Sequence, residues 1–188
     1  IGGELGKKGY YTAFFHGADN GSMGFEAFAR TAGYTHYFGR TEYNEANPDN
    51  KDFDGHWGIW DEKFFQFFGN TLSGFQQPFA AALFSLSSHH PFAVPAEYEG
   101  VFPKGNKPIR QCIGYTDNAL KLFFEKVSKE PWYKNTLFVF TVDHTNSPER
   151  PEYETESGLF SVPVVFYQPG SDLKGFRKDV IAQQIDIM

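Results

Sequence analysis

Cysteine is almost missing from the chain. Among 188 residues only Cys112 carries a thiol, which excludes an intramolecular disulfide and leaves the redox compartment unmarked. Long apolar runs are missing too: the longest, Phe79 to Phe84, falls far short of the roughly 20 apolar residues that a membrane-spanning helix needs. Basic charge is in deficit, with Lys+Arg 17 against Asp+Glu 23, and a net charge of −6 excludes a basic nucleic-acid binder. There is no initiator Met and no signal peptide, and Met188 follows the apolar positions Val180, Ile181, Ile185 and Ile187 without a stop signal. The chain therefore reads as part of a longer protein, cut at both ends.

What the chain has in excess is aromatic side chains, with Phe 22, Tyr 10 and Trp 3. That composition belongs to a packed globular domain, not to a disordered or repetitive one. Tyr10 to Phe15, after the turn signal Lys8-Gly9, reads as a strand ending at His16-Gly17. A helix is expected from the cap chemistry of Asn20-Gly21-Ser22 to Gly33, and a short strand over 34–38. Residues 44–55 read as a polar loop, and Trp60 to Phe68 as a helix through Phe64, Phe65 and Phe68. Phe79 to Leu86 is apolar on both faces, as a buried parallel strand requires. A helix opens at Thr116-Asp117 and runs to Val127, with Asp117/Lys121 and Glu125/Lys129 as i,i+4 pairs. Leu137 to Val142 is a second strand expected to be buried on both faces, and Val162 to Tyr167 a further one. Strands alternating with helices predict an α/β domain with a largely parallel sheet flanked by helices.

In such sheets the chemistry gathers beyond the carboxyl ends of the strands. Four of the six histidines stand there: His16 after the first strand, His89 and His90 after Leu86-Ser87-Ser88, and His144 after Asp143. Imidazole and carboxylate suit a divalent cation or a phosphoryl group, whereas a lone histidine at a strand end often just bonds a loop carbonyl. Adjacent strand residues point to opposite faces, so Asp143 and His144 reach one ion only if the backbone turns between them, which Thr145-Asn146-Ser147-Pro148 permits. A metal site made by His16, His89 and His144 alone is a separate possibility. Gly55 to Glu62, with Trp57 and Trp60, either lines a substrate pocket or opens a helix with its tryptophans in the core. Asp49, Asp52 and Asp54 lack the framework of a calcium-binding helix-loop-helix and read as a solvated loop.

Six blocks occur in a familiar order: Tyr11-Thr12-Ala13-Phe14-Phe15-His16-Gly17, Trp57-Gly58-Ile59-Trp60-Asp61, Ser87-Ser88-His89-His90-Pro91-Phe92, Tyr115 to Leu120, Asn135 to His144, and Gln184-Ile185-Asp186-Ile187-Met188. In this the chain resembles the sulfatase-like phosphoglycerol transferases, the lipoteichoic acid synthase group of the alkaline phosphatase/sulfatase superfamily. The resemblance implies that residues 1–188 form the carboxyl-terminal, incomplete part of one sulfatase-like catalytic domain. It implies a divalent metal held by Asp143 and His144, manganese first, with zinc, magnesium or calcium as alternatives. It also implies that His16 and His89 contact the phosphate or headgroup of a phosphate- or sulfate-ester substrate, lipid-linked in many members. The family's threonine nucleophile and an acidic metal ligand precede the matched region and have no counterpart here, so the polypeptide alone is expected to be inactive. Membrane helices upstream and an extracytoplasmic location follow from the family, not from these residues.

Two departures bear on selectivity. Family members acting on phosphoglycerol carry Trp and Arg seven and nine residues after the histidine of the His-Gly motif, where this chain has Met23 and Phe25. Arg30, Arg40 or Arg110 would then have to supply the cation. Cys112, followed by Ile-Gly-Tyr-Thr, does not match the formylglycine motif of sulfatases. The alternatives to a transferase are a sulfatase or phosphodiesterase that releases the group to water, and a non-catalytic module that binds an anionic headgroup.

Overall fold

In the computed structural model of the chain, which describes residues 1–172, 174–177 and 179–187, the first of two units runs from Ile1 to Val127. It opens with α1 (Gly2–Lys7), followed by β1 (Tyr11–His16), α2 (Phe25–Thr31), β2 (His36–Phe38), α3 (Arg40–Ala46), α4 (Asp61–Ser73), β3 (Phe79–Phe84) and α5 (Ile109–Val127). The strands form a parallel sheet in the order β2-β1-β3, with Phe15 level with Phe38 on one side and Leu83 on the other. The central strand β1 is buried on both faces, as its unbroken apolar run requires. Ala13 and Phe15 pack with Tyr43, Ile59 and Phe64, while Phe14 packs with Ala29 and Tyr37 on the opposite side. Strand β3 is parallel as expected, but its side chains are half-buried because β1 is its one partner strand among the described residues.

Two helices were not legible. The glycines of α1 disguise it, and Gly2 serves close approach: a Cβ there would stand 2.8 Å from the Tyr34 ring and 2.9 Å from its backbone nitrogen. Helix α3 lies partly within the expected polar loop, and its cap comes from 21 residues away. Asn20 Oδ1 accepts the Thr41 N–H at 3.3 Å, and Glu42 accepts the Gly39 N–H at 2.6 Å. Helix α5 begins seven residues before the expected Thr116, which brings Cys112 and Tyr115 onto the buried stripe with Ala119, Phe123 and Val127. Phe123 meets the rings of Phe65 and Phe68 on α4. An ion pair on its wet side joins Lys121 to Glu125 at 3.8 Å.

The second unit, Ser128–Met188, contains β4 (Phe138–Thr141), α6 (Glu156–Leu159) and β5 (Val164–Tyr167). β4 pairs with β5 in antiparallel fashion, Phe140 opposite Val165. The expectation that β4 is buried on both faces is corrected here: half-buried and exposed residues alternate along it. A two-stranded ribbon has too few layers within its own unit to cover both faces. Met188, the last residue of the closing motif, lies outside the described residues.

Candidate active site

Strand β1 delivers His16 into the interior, where it is 2% exposed. Its Nδ1 lies 3.1 Å from the Phe84 carbonyl on β3. A carbonyl only accepts, so Nδ1 carries the proton and neutral His16 keeps its lone pair on Nε2. The ring lies against Phe25 at 4.0 Å between centroids and meets Phe84 edge-on. Burial pushes the His16 pKa down, opposed by the Phe84 carbonyl.

The adjoining Gly17-Ala18 segment is clamped to the Trp57 motif. Ile59 donates its N–H to the Gly17 carbonyl at 3.0 Å, and a Cβ on Gly58 would stand 2.3 Å from that same oxygen, so no other residue fits. The turn before it is built by one atom: Asp54 Oδ1 accepts the N–H groups of His56, Trp57 and Gly58 at 2.8, 2.8 and 3.0 Å. Trp57 then reaches across to the loop after β3, donating Nε1–H to the His90 carbonyl at 2.6 Å and meeting the His89 ring edge-on at 4.6 Å. His89 is exposed, and its Nδ1 lies 3.0 Å from the His90 carbonyl, which fixes the proton there and leaves Nε2 free for another partner.

Between these two loops lies an open groove of about 440 Å³ lined by Gly55, His56, Trp57, His90 and Pro91. A narrow crevice beside it is lined by residues that include Asp54, Trp60, Ser87 and His89. Both tryptophans of the motif therefore face a cleft. Asp49 pairs with Lys51 at 2.7 Å and Asp52 accepts the Tyr43 hydroxyl at 2.6 Å, so with Asp54 the three acids serve three separate local structures.

In the second unit the chain bends after β4, and Asp143 Oδ2 comes within 3.4 Å of His144 Nε2. Asp143 Oδ1 accepts the His144 N–H at 2.8 Å, and His144 Nδ1 lies 3.3 Å from the Thr145 carbonyl. With the proton on Nδ1, the Nε2 lone pair and the carboxylate oxygen present two oxygen- and nitrogen-type donors side by side at the surface. That donor set fits a divalent cation. The side chain of Gln184 donates to the Val142 carbonyl, tying the closing motif to the end of β4. Within neither unit do three His, Cys, Asp or Glu side chains gather into a metal-holding group among the described residues.

Among the candidate cations, Arg30 answers Glu26 at 2.6 Å, while Arg40 answers Asp19 at 3.1 Å and lies over the Phe53 ring. Met23 is exposed and Phe25 packs on His16. Cys112 is buried in α5 with its thiol directed to the Ala93 carbonyl, and burial pushes its pKa up to about 11, which makes it a poor nucleophile.

The sequence profile of the Sulfatase family matches residues 2–188. The chain belongs to the sulfatase family. Within that family it is 26% identical over 201 aligned positions to lipoteichoic acid synthase 1 of Bacillus subtilis, covering 97% of this chain and 30% of the relative. It is 26% identical to phosphoglycerol transferase I of Escherichia coli, covering 77% of this chain and 20% of that protein. The crystal structure of the lipoteichoic acid synthase LtaP from Listeria monocytogenes superposes with a TM-score of 0.71 at 21% identity, over 91% of this chain and 46% of that one. The sulfatase-family chain thus spans less than a third of the length of either sequence relative, and the fold agrees with the α/β architecture read from its strands.

Proposed function

We propose that the protein carrying this chain transfers a phosphate-ester group, of phosphoglycerol type, and that residues 1–188 supply its substrate contacts and part of its metal site. The observation that carries the reading is His89: exposed, oriented by Trp57 and the His90 carbonyl, and placed beside a groove at the end of β3. Family membership and the names of the two relatives support the reaction class.

Asp143 and His144 would hold the divalent cation, which supplies charge neutralisation at the transferring group and lowers the pKa of a bound hydroxyl. His89, with Nε2 free, donates to an ester oxygen when protonated and accepts from a hydroxyl when neutral. His16 plays a different part. Buried and neutral, with the proton on Nδ1, it lines neither the groove nor the crevice, and its Nε2 offers only a lone pair, so a headgroup group that meets it must be a hydroxyl that donates. The nucleophile comes from outside this chain, and the polypeptide alone is inactive. We place the site on the extracytoplasmic side of a membrane, as the family resemblance implies; no helix among the described residues is long and apolar enough to cross one.

Met23 and Phe25, where phosphoglycerol-specific relatives resemble one another in carrying Trp and Arg, favour a second reading: another phosphate or sulfate ester, released to water. Assay of the full-length protein with a glycerophosphate diester, a matched sulfate ester and both acceptors separates the two. The transferase reading expects phosphoryl transfer to an alcohol, lowered but still measurable in His89→Ala and lost in His144→Ala. Sulfate release alone would establish the hydrolase reading in its place, and unchanged turnover in both variants, or turnover by the isolated 188 residues, would overturn the site assignment.

A further inference from the structure

The Trp57-Gly58-Ile59-Trp60-Asp61 motif ends on a carboxylate with no part in the steps above. Asp61 is 1% exposed. Its Oδ1 accepts the Leu86 N–H at 2.9 Å, and its Oδ2 accepts the Ser87 N–H at 3.1 Å and the Thr116 hydroxyl at 3.0 Å. Its own N–H donates to Ser87 Oγ at 3.0 Å. One residue thus ties the start of α4 to the exit of β3 and to α5. A buried carboxylate is costly to desolvate, and here that cost is offset by the three donors that converge on it. Packing alone does not account for an acid here.

The bonds account for it through what they hold. Leu86 and Ser87 begin a tight turn that closes with the His89 N–H on the Leu86 carbonyl at 3.0 Å. The first two N–H groups of that turn go to Asp61, and its last residue is the one beside the groove. We propose that Asp61 is a positioning residue: by holding Leu86 and Ser87 it fixes the turn that presents His89 to substrate. The inference rests on the reading of His89 as a substrate contact.

The test is a double-mutant cycle on the full-length protein, with kcat and KM measured on a glycerophosphate diester. Asp61→Asn keeps the shape but turns an NH₂ group toward donors, and is expected to lower kcat/KM by about tenfold or more. In a His89→Ala background the same substitution is expected to cost less than about twofold, because the group it positions is gone. Thr116→Val, which removes one bond and keeps the volume, is expected to follow the same pattern more weakly and serves if Asp61→Asn does not fold. Equal losses in both backgrounds overturn the positioning role while leaving His89 in place. An unchanged kcat/KM in His89→Ala overturns the reading of His89 itself, and the positioning role with it.

Discussion

His16 shows how burial chooses a protonation state. Its pKa lies below the ordinary 6.5 because the folded interior disfavours the imidazolium. The unfolded chain then binds the proton more readily than the folded one, so this contribution to stability is complete above pH 6.5 and is lost as pH falls through the lower folded value. Urea unfolding of the full-length protein between pH 7.5 and 5 is expected to show a falling midpoint, and His16→Gln is expected to flatten that slope. At Gly58 the decisive feature is distance. The clash of a new Cβ with the Gly17 carbonyl involves backbone on both sides, so neither partner yields. Gly58→Ala is expected to destabilise by about 2 kcal/mol or more, within the range of overpacked sites, and thermal unfolding checks it.

Among the elements, the pairing of α4 with α5 rests on Phe123, which is 4% exposed between Phe65 and Phe68. Phe123→Ala is expected to cost about 3–5 kcal/mol in urea unfolding, and it leaves His89 untouched. The periodicity of Phe64, Phe65 and Phe68, and of Leu120, Phe123 and Val127, made both helices legible because an amphipathic stripe is a local property of the chain. Two of the missed helices, α1 and α3, are of another kind. α1 depends on Gly2, which permits close packing against Tyr34, and α3 on a cap borrowed from Asn20; both are long-range facts with no local periodic signal. The overextended reading of β4 has the same root, since apolar residues on both faces say what a strand can bury, not how many layers cover it.

At the scale of the whole molecule, each unit carries its own share of the proposed roles: His16 and His89 lie in the first, Asp143 and His144 in the second. Chelation of the full-length protein is expected to abolish transfer and manganese to restore it, while elemental analysis is expected to find bound metal reduced in Asp143→Asn and His144→Ala. Metal content unchanged in both variants would remove these two residues from the ligand set. By itself the sequence determined the strands and the amphipathic helices, the parallel character of the main sheet, the histidines at strand ends and the family motifs, because each is written in local pattern or in residue identity. The tertiary structure alone decided which nitrogen of His16 and His89 carries the proton, that Trp57 meets His89 across 32 residues of chain, and that Asp61 holds the turn before it. The His16, Trp57 and Asp61 contacts join residues distant in sequence, and the His89 bond to its neighbour's carbonyl depends on the local backbone turn, so each exists only once the chain has folded.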